Sequence, residues 1–501
     1  MRPTNVLFIN SDQHSPRVLG CYGNAVVQTP NLDALAARGT RFANAYCPTP
    51  ICVPSRASLA TGRYAHTIDS WDNGTPYIGT EAESWGKRLT EHGHKVTTIG
   101  KLHYRKVGDP SGFGDQRLAM HVLEGVGDIY GCLREKMPVR PHSRAQIFEA
   151  GPGEVEYTRY DRATTEAAIR YLTDEARGQD KPWALFVSLT YPHFPLQAPP
   201  EFFDLYSLDT VPMPVQWHPE EWSQHPYQVW QRAIQALDEP VDEYSIRKAI
   251  AAYYGMVSFL DHNIGRILAA LEASGQTENT RIIYTTDHGE QLGEHGMWWK
   301  SSMLEASAGI PLIVAGPEIP EGKVSNTNVN LVDCFPGIVE AVGAELAPQD
   351  ADLPGESIFA LAQRDDRERI SFSEYHAIMS PSASYLLRDG RYKYIRYIDM
   401  PPQLFDMEVD RHETHDLADD PNFASVLAEC EAKLRAICDP EATDARAKAS
   451  QQARLREHGG AEAVLAAGVK IPYTPAPEEF EPAPNEARER ARHAGEASRT
   501  D

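Results

Sequence analysis

The chain has 501 residues, 42% of them hydrophobic and 24% charged, which is the composition of a globular protein and excludes a fibre or a wholly disordered chain. This length exceeds one ordinary domain, so we expect a large domain and a smaller one. The formal net charge of −23 repels polyanions and argues against nucleic acid or an acidic membrane surface as a partner.

Seven scattered cysteines without a C-x-x-C pair make a disulfide framework or a cysteine-based zinc site unexpected. The opening residues MRPTNVLFINSDQH lead directly into a predicted strand and carry no signal-peptide pattern. No run of about 18 apolar residues could span a membrane. The simplest interpretation is a reduced, cytoplasmic protein.

Short apolar runs alternate with helical patterns along the first part of the chain. The predicted buried strands are 5–10, 96–100, 184–189, 281–286 and 311–315. Helical patterns lie between them at 29–38, 162–176 and 245–274. This alternation predicts an α/β domain, with a large, mainly parallel sheet flanked by helices. In such sheets the ligand crevice lies outside the carboxyl ends of the strands.

Polar side chains follow four of these predicted strands. In chain order they are Asp12 and Gln13, Lys101 and His103, His193, and Asp287 and His288. Because the carboxyl ends of parallel strands meet at one edge of a sheet, we expect these side chains to converge there.

The sequence pattern changes near residue 375. Residues 384–398 read as two strands joined by a turn at Asp389 and Gly390, and 423–437 reads as an amphipathic helix. We therefore predict a catalytic α/β domain over 1–375 and a small subdomain over 376–441, with an antiparallel sheet and one helix. Residues 442–501, rich in Ala, Glu, Arg and Pro, are predicted to form an extended tail in an oligomer interface.

Two adjacent pairs, Asp12-Gln13 and Asp287-His288, suggest a metal site. Two carboxylates, an amide oxygen and an imidazole suit Mn²⁺ or Ca²⁺ better than a metal that selects thiolates. Either pair alone would more often cap a helix or form a turn. Together, the two pairs favour the metal.

The stretch CVPSRASLATGR places Cys52 just before a helix-forming run. If the helix begins near Ser55, Cys52 lies at its N-terminus, where free N–H groups favour an anion. Arg56, one turn later, adds a bidentate positive group. Without such neighbours, a lone cysteine is usually a small buried apolar side chain.

The C-V-P-S-R segment followed by A-S-L-A-T-G-R resembles the signature of type I sulfatases in the alkaline phosphatase superfamily. Four further segments resemble that family in the same order: NVLFINSDQH, GKLHY, TYPHFPLQAP and TTDHGEQLGEHGMWWKSS. The resemblance implies that Cys52 is converted to Cα-formylglycine by a formylglycine-generating enzyme that recognises Pro54 and Arg56. It also implies that the hairpin and LFDMEVDRHETHDLADDP form the family's C-terminal subdomain.

The resemblance further implies a role for each candidate residue. The modified Cys52 would be the nucleophile, beside one divalent ion, Mn²⁺ or Ca²⁺, held by Asp12, Gln13, Asp287 and His288. The groups that would neutralise the sulfuryl oxygens are Arg56, Lys101 and Lys300. The groups that would move protons are His193, at the leaving oxygen, and His103, at the nucleophile. Asn73 matches an asparagine that contacts substrate in some relatives.

The metal pairs depart from the Asp-Asp and Asp-Asn of many sulfatases and resemble those of choline sulfatases and phosphonate monoester hydrolases. One carboxylate fewer and an added imidazole favour Mn²⁺ over Ca²⁺. Lys101 and His103, which the phosphonate hydrolases lack, favour sulfate. We therefore expect hydrolysis of a small sulfate monoester; a phosphonate monoester or phosphodiester hydrolase is the alternative, and a non-catalytic anion-binding protein is a third.

The remaining expectations concern assembly and the other polar or aromatic side chains. The resemblance and the predicted tail favour a homodimer or homotetramer. We expect three further histidines to be structural: His66, His94 and His295. Core packing is expected for Trp298 and Trp299, in preference to an aromatic wall for a cationic leaving group.

Overall fold

The computed structural model describes residues 2–134, 137–469 and 473–477. Its strands are β1 (Asn5–Ser11), β2 (Gly39–Tyr46), β3 (Val96–Lys101), β4 (Asp115–Met120), β5 (Gly151–Pro152), β6 (Ala184–Ser188), β7 (Gln197–Ala198), β8 (Thr280–Thr286), β9 (Leu312–Ala315), β10 (Lys323–Asn330), β11 (Ser371–Tyr375), β12 (Ser384–Asp389), β13 (Tyr392–Tyr397) and β14 (Gln403–Asp406).

Its α-helices are α1 (Pro30–Ala37), α2 (Cys52–Thr61), α3 (Trp85–Glu91), α4 (Pro141–Phe148), α5 (Glu156–Arg170), α6 (Pro200–Phe203), α7 (Pro226–Ile234), α8 (Glu243–Ala273), α9 (Glu305–Ala308), α10 (Cys334–Val342), α11 (Ile358–Gln363), α12 (Ala424–Ile437), α13 (Pro440–Glu457) and α14 (Ala461–Ala467). Among the described residues, no helix is long and apolar enough to cross a membrane.

The main sheet has eight strands in the order β10-β2-β9-β8-β1-β6-β3-β4. All neighbours pair in parallel except at β9, which is antiparallel to both β2 and β8. The predicted large, mainly parallel sheet is therefore confirmed. The run predicted as a strand at 311–315 is this one antiparallel member, because a short apolar run carries no information about its direction.

Helices cover both faces of the main sheet, so side chains that alternate in direction along β1 enter a buried core on either side. Leu7 and Ile9 point into a core shared with α1, α5 and α8. Val6 and Phe8 point into a second core shared with α2, α3, α10 and α11. A strand with both faces buried loses the polar alternation of a surface strand.

The register of the central strands brings the polar strand ends together. Ser11 pairs with Thr286 across β1 and β8, so the next residues, Asp12 and Asp287, lie side by side. On the other side, Gly100 of β3 pairs with Ser188 of β6, which puts Lys101 at the same edge. The predicted convergence at this edge follows from this register.

A separate antiparallel sheet has the order β11-β12-β13-β14. The predicted hairpin is present as β12 and β13, with Gly390 and Arg391 in the turn. Helix α12 packs on the sheet through Cys430 and Leu434, so the predicted sheet and helix are confirmed. The sheet begins at Ser371, a few residues before the predicted boundary at 376.

The chain beyond 442 differs from the predicted extended tail. Residues 440–467 form α13 and α14, and α13 buries Ala447, Gln451 and Leu455. The Gln451 side chain donates to Asp72 Oδ2 at 2.8 Å and to the His376 carbonyl at 2.7 Å, so α13 packs across both domains. The predicted tail over 478–501 lies outside the described residues.

Candidate active site

Cys52 is the first residue of α2, a helix whose ten residues are all buried. Ile51, which precedes the helix, has an extended backbone, and its side chain does not cap the helix. The Asn73 side chain caps the helix instead, because its Oδ1 accepts a hydrogen bond from the N–H of Val53 at 3.1 Å. The helix therefore begins at Cys52 itself, three residues before the predicted start, and directs its N-terminus at the strand ends.

Four side chains converge on one buried point at the carboxyl ends of β1 and β8. Ligand atoms of Asp12, Cys52, Asp287 and His288 all lie within 4.8 Å of one another. Cys52 Sγ lies 3.2 Å from His288 Nε2 and 3.8 Å from Asp12 Oδ1. Three of the four predicted metal ligands thus lie together, beside the predicted nucleophile.

The donor set of this cluster fits a divalent cation. His288 Nδ1 lies 3.1 Å from the Gly289 carbonyl, which leaves Nε2 facing the two carboxylates at 3.7 and 3.8 Å. Carboxylate oxygens with one imidazole nitrogen are ligands for Mn²⁺ and similar ions. Gln13 brings its amide to the same edge, where Oε1 accepts a hydrogen bond from Lys300 and Nε2 donates one to Glu290.

Arg56 clamps the two carboxylates together. Its Nε donates to Asp287 Oδ2 at 2.7 Å and one terminal nitrogen donates to Asp12 Oδ2 at 3.0 Å, while the other donates to the Lys101 carbonyl and to Ser188 Oγ. The residue is 2% exposed. It therefore holds the carboxylates from behind, which differs from the predicted contact with the sulfuryl oxygens.

Lys101 also contacts Asp12, with its Nζ 2.7 Å from Oδ2. Burial alone would raise the pKa of Asp12, but the charges of Lys101 and Arg56 hold that pKa well below its usual range. Asp12 is therefore an anion across the physiological range, as a metal ligand must be.

His193 and Lys300 form a pair on the wall of the site. Lys300 Nζ lies 2.9 Å from His193 Nε2, and His193 Nδ1 lies 2.7 Å from the Phe194 carbonyl. Because an ammonium only donates, Nε2 accepts and the neutral ring carries its proton on Nδ1. Burial and the charge of Lys300 lower the pKa of His193 well below its usual value, so the ring is neutral at pH 7.

His103 lies on the other side of Cys52 and contacts the C-terminal segment. Its Nε2 lies 2.7 Å from Thr474 Oγ1, and its buried Nδ1 has no hydrogen-bond partner among the described residues. Burial, with Lys101 and Arg56 nearby, lowers the pKa of His103 well below its usual value. This neutral imidazole can accept a proton.

The unmodified Cys52 side chain is a poor nucleophile in this environment. Burial, and then the charge of Asp12, raise the pKa of the thiol to about 11. A reactive cysteine has its pKa lowered. The site is therefore not built to produce a thiolate.

Two residues of the site, Glu290 and Thr474, are not among those predicted from the sequence. Glu290 is buried and binds the N–H groups of Leu292 and Trp299, each at 2.7 Å, as well as the Gln13 amide. It follows His288 by two residues, and this closeness to the DHG motif is the only signal for it. Thr474 has no sequence signal, because its contact depends on the path of the C-terminal chain.

The active-site backbone is strained at several positions. Positive φ values occur at Gln13 (66°), His103 (58°), Trp299 (70°) and Ser301 (80°). Side chains other than glycine rarely adopt this conformation, and it concentrates at functional sites. The hydrogen bonds of Glu290 and the contacts at the strand ends hold the backbone in this strained conformation.

A cavity of about 380 Å³ opens from Cys52. Around the reactive centre its wall includes Asn73, Lys101, His103, His193 and Lys300. This volume lies in the range of about 300–1,000 Å³ typical of small-molecule sites. All the predicted site residues that face substrate, apart from Arg56, therefore share one cavity.

The remaining side chains lie as follows. Trp298 packs in the core beside α8, and Trp299 lines the cavity as well as contacting Phe194. None of the three histidines predicted to be structural lines the cavity: His66, His94 and His295.

Comparison with known proteins defines the class. The Sulfatase family model matches residues 4–344, and the model described as N-sulphoglucosamine sulphohydrolase, C-terminal, matches residues 293–439. The first match spans more than half of the chain. The protein therefore belongs to the sulfatase family and is a sulfuric ester hydrolase, which confirms the predicted family.

Individual relatives are similar along most of their length. The chain is 30% identical to the choline-sulfatase of Rhizobium meliloti (strain 1021), over 90% of both chains. It is 29% identical to arylsulfatase K of Danio rerio, over 87% of this chain and 84% of that protein. The phosphonate monoester hydrolase of Agrobacterium radiobacter shares the fold, with a TM-score of 0.69 and 24% identity over 86% of this chain and 95% of that one.

Proposed function

We propose that this protein hydrolyses sulfate monoesters with a formylglycine, made from Cys52, as nucleophile beside a divalent metal ion. The observation that carries the proposal is the buried cluster of Asp12, Cys52, Asp287 and His288, within 4.8 Å of one another. A cysteine with a raised pKa has no other evident use at a carboxylate-imidazole cluster. Conversion of the thiol to an aldehyde, whose hydrate supplies a hydroxyl nucleophile, gives Cys52 a reactive group that does not depend on a thiolate.

Asp12, Gln13, Asp287 and His288 would hold Mn²⁺ or Ca²⁺, which would supply Lewis-acid polarisation when bound. The chain's own part is to keep the two carboxylates in one geometry, through Arg56. The charge of the guanidinium also offsets their mutual repulsion before the metal binds.

The two lysines on the cavity wall would bind the sulfuryl oxygens. Lys101 and Lys300 both line the cavity beside Cys52, and together they make this part of an acidic protein locally positive. Fixed positive groups at the place where charge develops stabilise a transition state without reorganisation.

The two histidines would move protons. Lys300 Nζ donates a hydrogen bond to His193 Nε2, 2.9 Å away, so the pair can deliver that shared proton to the leaving oxygen. His103, neutral and buried, would accept the proton of the nucleophile's second hydroxyl when sulfate leaves. The hydrogen bond between its Nε2 and Thr474 Oγ1 would orient its ring and leave Nδ1 free to accept that proton.

Formation of the aldehyde would require a formylglycine-generating enzyme as maturation partner. Cys52, Pro54 and Arg56 are all buried in α2, so a modifying enzyme could not reach the motif in the folded protein. We infer that modification precedes folding. The homodimer or homotetramer and the cytoplasmic location remain predictions.

A comparison of kcat/KM for 4-nitrophenyl sulfate and 4-nitrophenyl phenylphosphonate tests the reaction class. The enzyme is co-produced with a formylglycine-generating enzyme and supplied with Mn²⁺, and Cys52→Ala serves as the control for background turnover. We expect a clear preference for the sulfate. Preference for the phosphonate would make the alternative function, suggested by Gln13 and His288, the correct one.

A further inference from the structure

The wall of the cavity away from Cys52 carries a positive group that no part of the proposed mechanism uses. Arg140, the residue that precedes α4, lines the same cavity as Cys52, Lys101 and Lys300. It is only 8% exposed. A guanidinium with this little access to water needs hydrogen-bond acceptors from its surroundings.

The structure supplies Arg140 with few such acceptors. Among the described residues, its guanidinium donates no hydrogen bond. Its one ion pair, to Asp128 Oδ2, is 3.8 Å long and reaches a half-buried carboxylate that already accepts the Gly131 N–H. Its other contact is the ring of Tyr130, 5.0 Å below the guanidinium carbon. Arg140 therefore has donors free to bind a ligand in the cavity.

The first turn of α4 contributes more polar groups to the same wall. Gln146 of the second turn lines the cavity next to Arg140, as do His142 and Ser143 of the first turn. Gln146 Oε1 is buried without a hydrogen-bond partner among the described residues. The first turn also presents the positive end of the helix dipole, where an anion is stabilised. A buried guanidinium that donates no hydrogen bond among the described residues and the start of a helix thus face one space.

We propose that Arg140 and the first turn of α4 form an anion subsite for the leaving group, so that the preferred substrate is a sulfate ester whose alcohol or phenol carries a second oxyanion, a carboxylate or a sulfate. This inference rests on the proposed function, because it assigns the sulfuryl group to the Cys52 end of the cavity. The carboxylates of Glu124 and Asp128 also line this cavity, and Asp128 lies 3.8 Å from Arg140. A cationic leaving group such as choline is disfavoured where it would lie against the Arg140 guanidinium itself.

The test compares kcat/KM for three aryl sulfates that differ only in the para substituent: carboxylate, carboxamide and trimethylammonium. Resorcinol disulfate is a fourth substrate, which separates a sulfate oxyanion from a carboxylate. We expect the wild-type enzyme to prefer the oxyanion-bearing esters to the carboxamide, and the cationic ester to be the poorest substrate.

Variants assign the preference to Arg140. In Arg140→Gln, the ratio of carboxylate to carboxamide kcat/KM should fall about 10- to 100-fold, the range expected for one charge-assisted hydrogen bond. Differences in leaving-group chemistry are the same for both enzymes and cancel in this comparison. Arg140→Lys, which keeps the charge, should retain part of the preference.

The matched control is Arg144→Gln, on the same helix. Arg144 donates to the backbone carbonyls of Ala236, Glu239 and Pro240 and does not line the cavity. Its loss should leave the ratio unchanged. If Arg140→Gln proves poorly folded, the same ratio in Arg140→Lys relative to wild type decides the matter, because leaving-group chemistry cancels there too; an unchanged ratio would overturn the subsite.

Hydrolysis of all four esters without discrimination by charge would overturn the subsite and leave the proposed function standing. An equal fall in the carboxylate to carboxamide ratio in Arg140→Gln and Arg144→Gln would also overturn it. Hydrolysis of none of them by the modified, metal-loaded enzyme would overturn the proposed function, and the subsite with it.

Discussion

The Nε2 atom of His103 lies 2.7 Å from Oγ1 of Thr474, although the two residues are 371 positions apart in the chain. The segment around Thr474 is fixed on the catalytic domain by two further bonds. Tyr157 donates to the Thr474 carbonyl at 2.5 Å, and the Ala476 N–H donates to Glu156 Oε1 at 2.7 Å. The C-terminal part of the chain thus closes one side of the site and orients the proposed base.

Replacing Thr474 tests this orientation. Thr474→Val keeps the shape of the side chain but removes its hydroxyl, and we expect kcat to fall about 10-fold, the value of one hydrogen bond of about 1.4 kcal/mol. Thr474→Ser, which retains the hydroxyl, should keep most of the activity. The measurement is kcat and KM for an aryl sulfate across a pH series, and equal kcat for both variants and the wild type would remove Thr474 from the mechanism.

Arg56 should be necessary for the stability of the metal-free protein. Arg56→Gln leaves Asp12 with Lys101 alone and removes the guanidinium from the buried Asp287. Breaking a buried ion pair in this way costs about 3–5 kcal/mol of the free energy of unfolding. Urea unfolding of the chelator-treated protein measures this loss.

Arg63→Gln is the matched control for Arg56→Gln. Arg63 pairs with Asp352, whose side chain is 74% exposed, and exposed pairs contribute at most about 1 kcal/mol. Similar losses from the two variants would show that the clamp on the carboxylates has no special role.

Metal loading should depend on His288. In His288→Ala we expect the bound metal per chain and kcat/KM to fall together, each by about 100-fold or more, since loss of even an outer-shell partner lowers metal affinity about 10- to 100-fold. Elemental analysis after dialysis against Mn²⁺ or Ca²⁺ measures the metal independently of activity.

The control for His288→Ala is His94→Ala. His94 Nδ1 bonds the Pro182 carbonyl, away from the cavity, so its replacement should leave the metal content unchanged. Unchanged metal in His288→Ala itself would mean that the buried cluster is not the metal site.

Stability should depend on pH through the buried pair of His66 and Glu374. His66 Nδ1 lies 2.8 Å from Glu374 Oε1. Burial alone would lower the pKa of His66, but the charge of Glu374 raises it; burial alone would raise the pKa of Glu374, but His66 and His376 lower it. The stabilisation by protonated His66 is complete below its unfolded pKa of about 6.5 and is lost as pH rises through the folded value.

Stabilisation by ionised Glu374 is present above its unfolded pKa of about 4.3 and is lost as pH falls. The free energy of unfolding of wild type relative to Glu374→Gln should therefore be largest near pH 5–6 and should shrink towards about pH 9. Urea midpoints at both pH values measure this difference. A difference that is the same at both pH values would contradict a charged pair.

Much of the main sheet could be predicted because each buried strand is visible in the local sequence, as an apolar run followed by polar residues. The strands before Asp12, Lys101 and Asp287 are found within one residue of their predicted ends. The convergence of those residues then follows from the parallel register. The antiparallel β9 could not be foreseen, because the direction of a strand depends on its connections and not on its composition.

Two other features depend on longer-range information. The Pro-rich segment near the end of the chain made 442–501 resemble an extended tail, but its first part is rich in Ala, Glu and Arg, which favour helix, and it folds as α13 and α14. Arg140 lies in no motif, and only the packing of α4 against the cavity shows that this residue lines it.

The most direct test of the account is the mass of the peptide that contains Cys52, measured beside turnover of an aryl sulfate in enzyme produced with and without a formylglycine-generating enzyme. We predict that the thiol is converted to an aldehyde in the first preparation, and that turnover in the two preparations is proportional to the converted fraction. Full turnover by enzyme in which Cys52 remains a thiol would contradict the formylglycine mechanism.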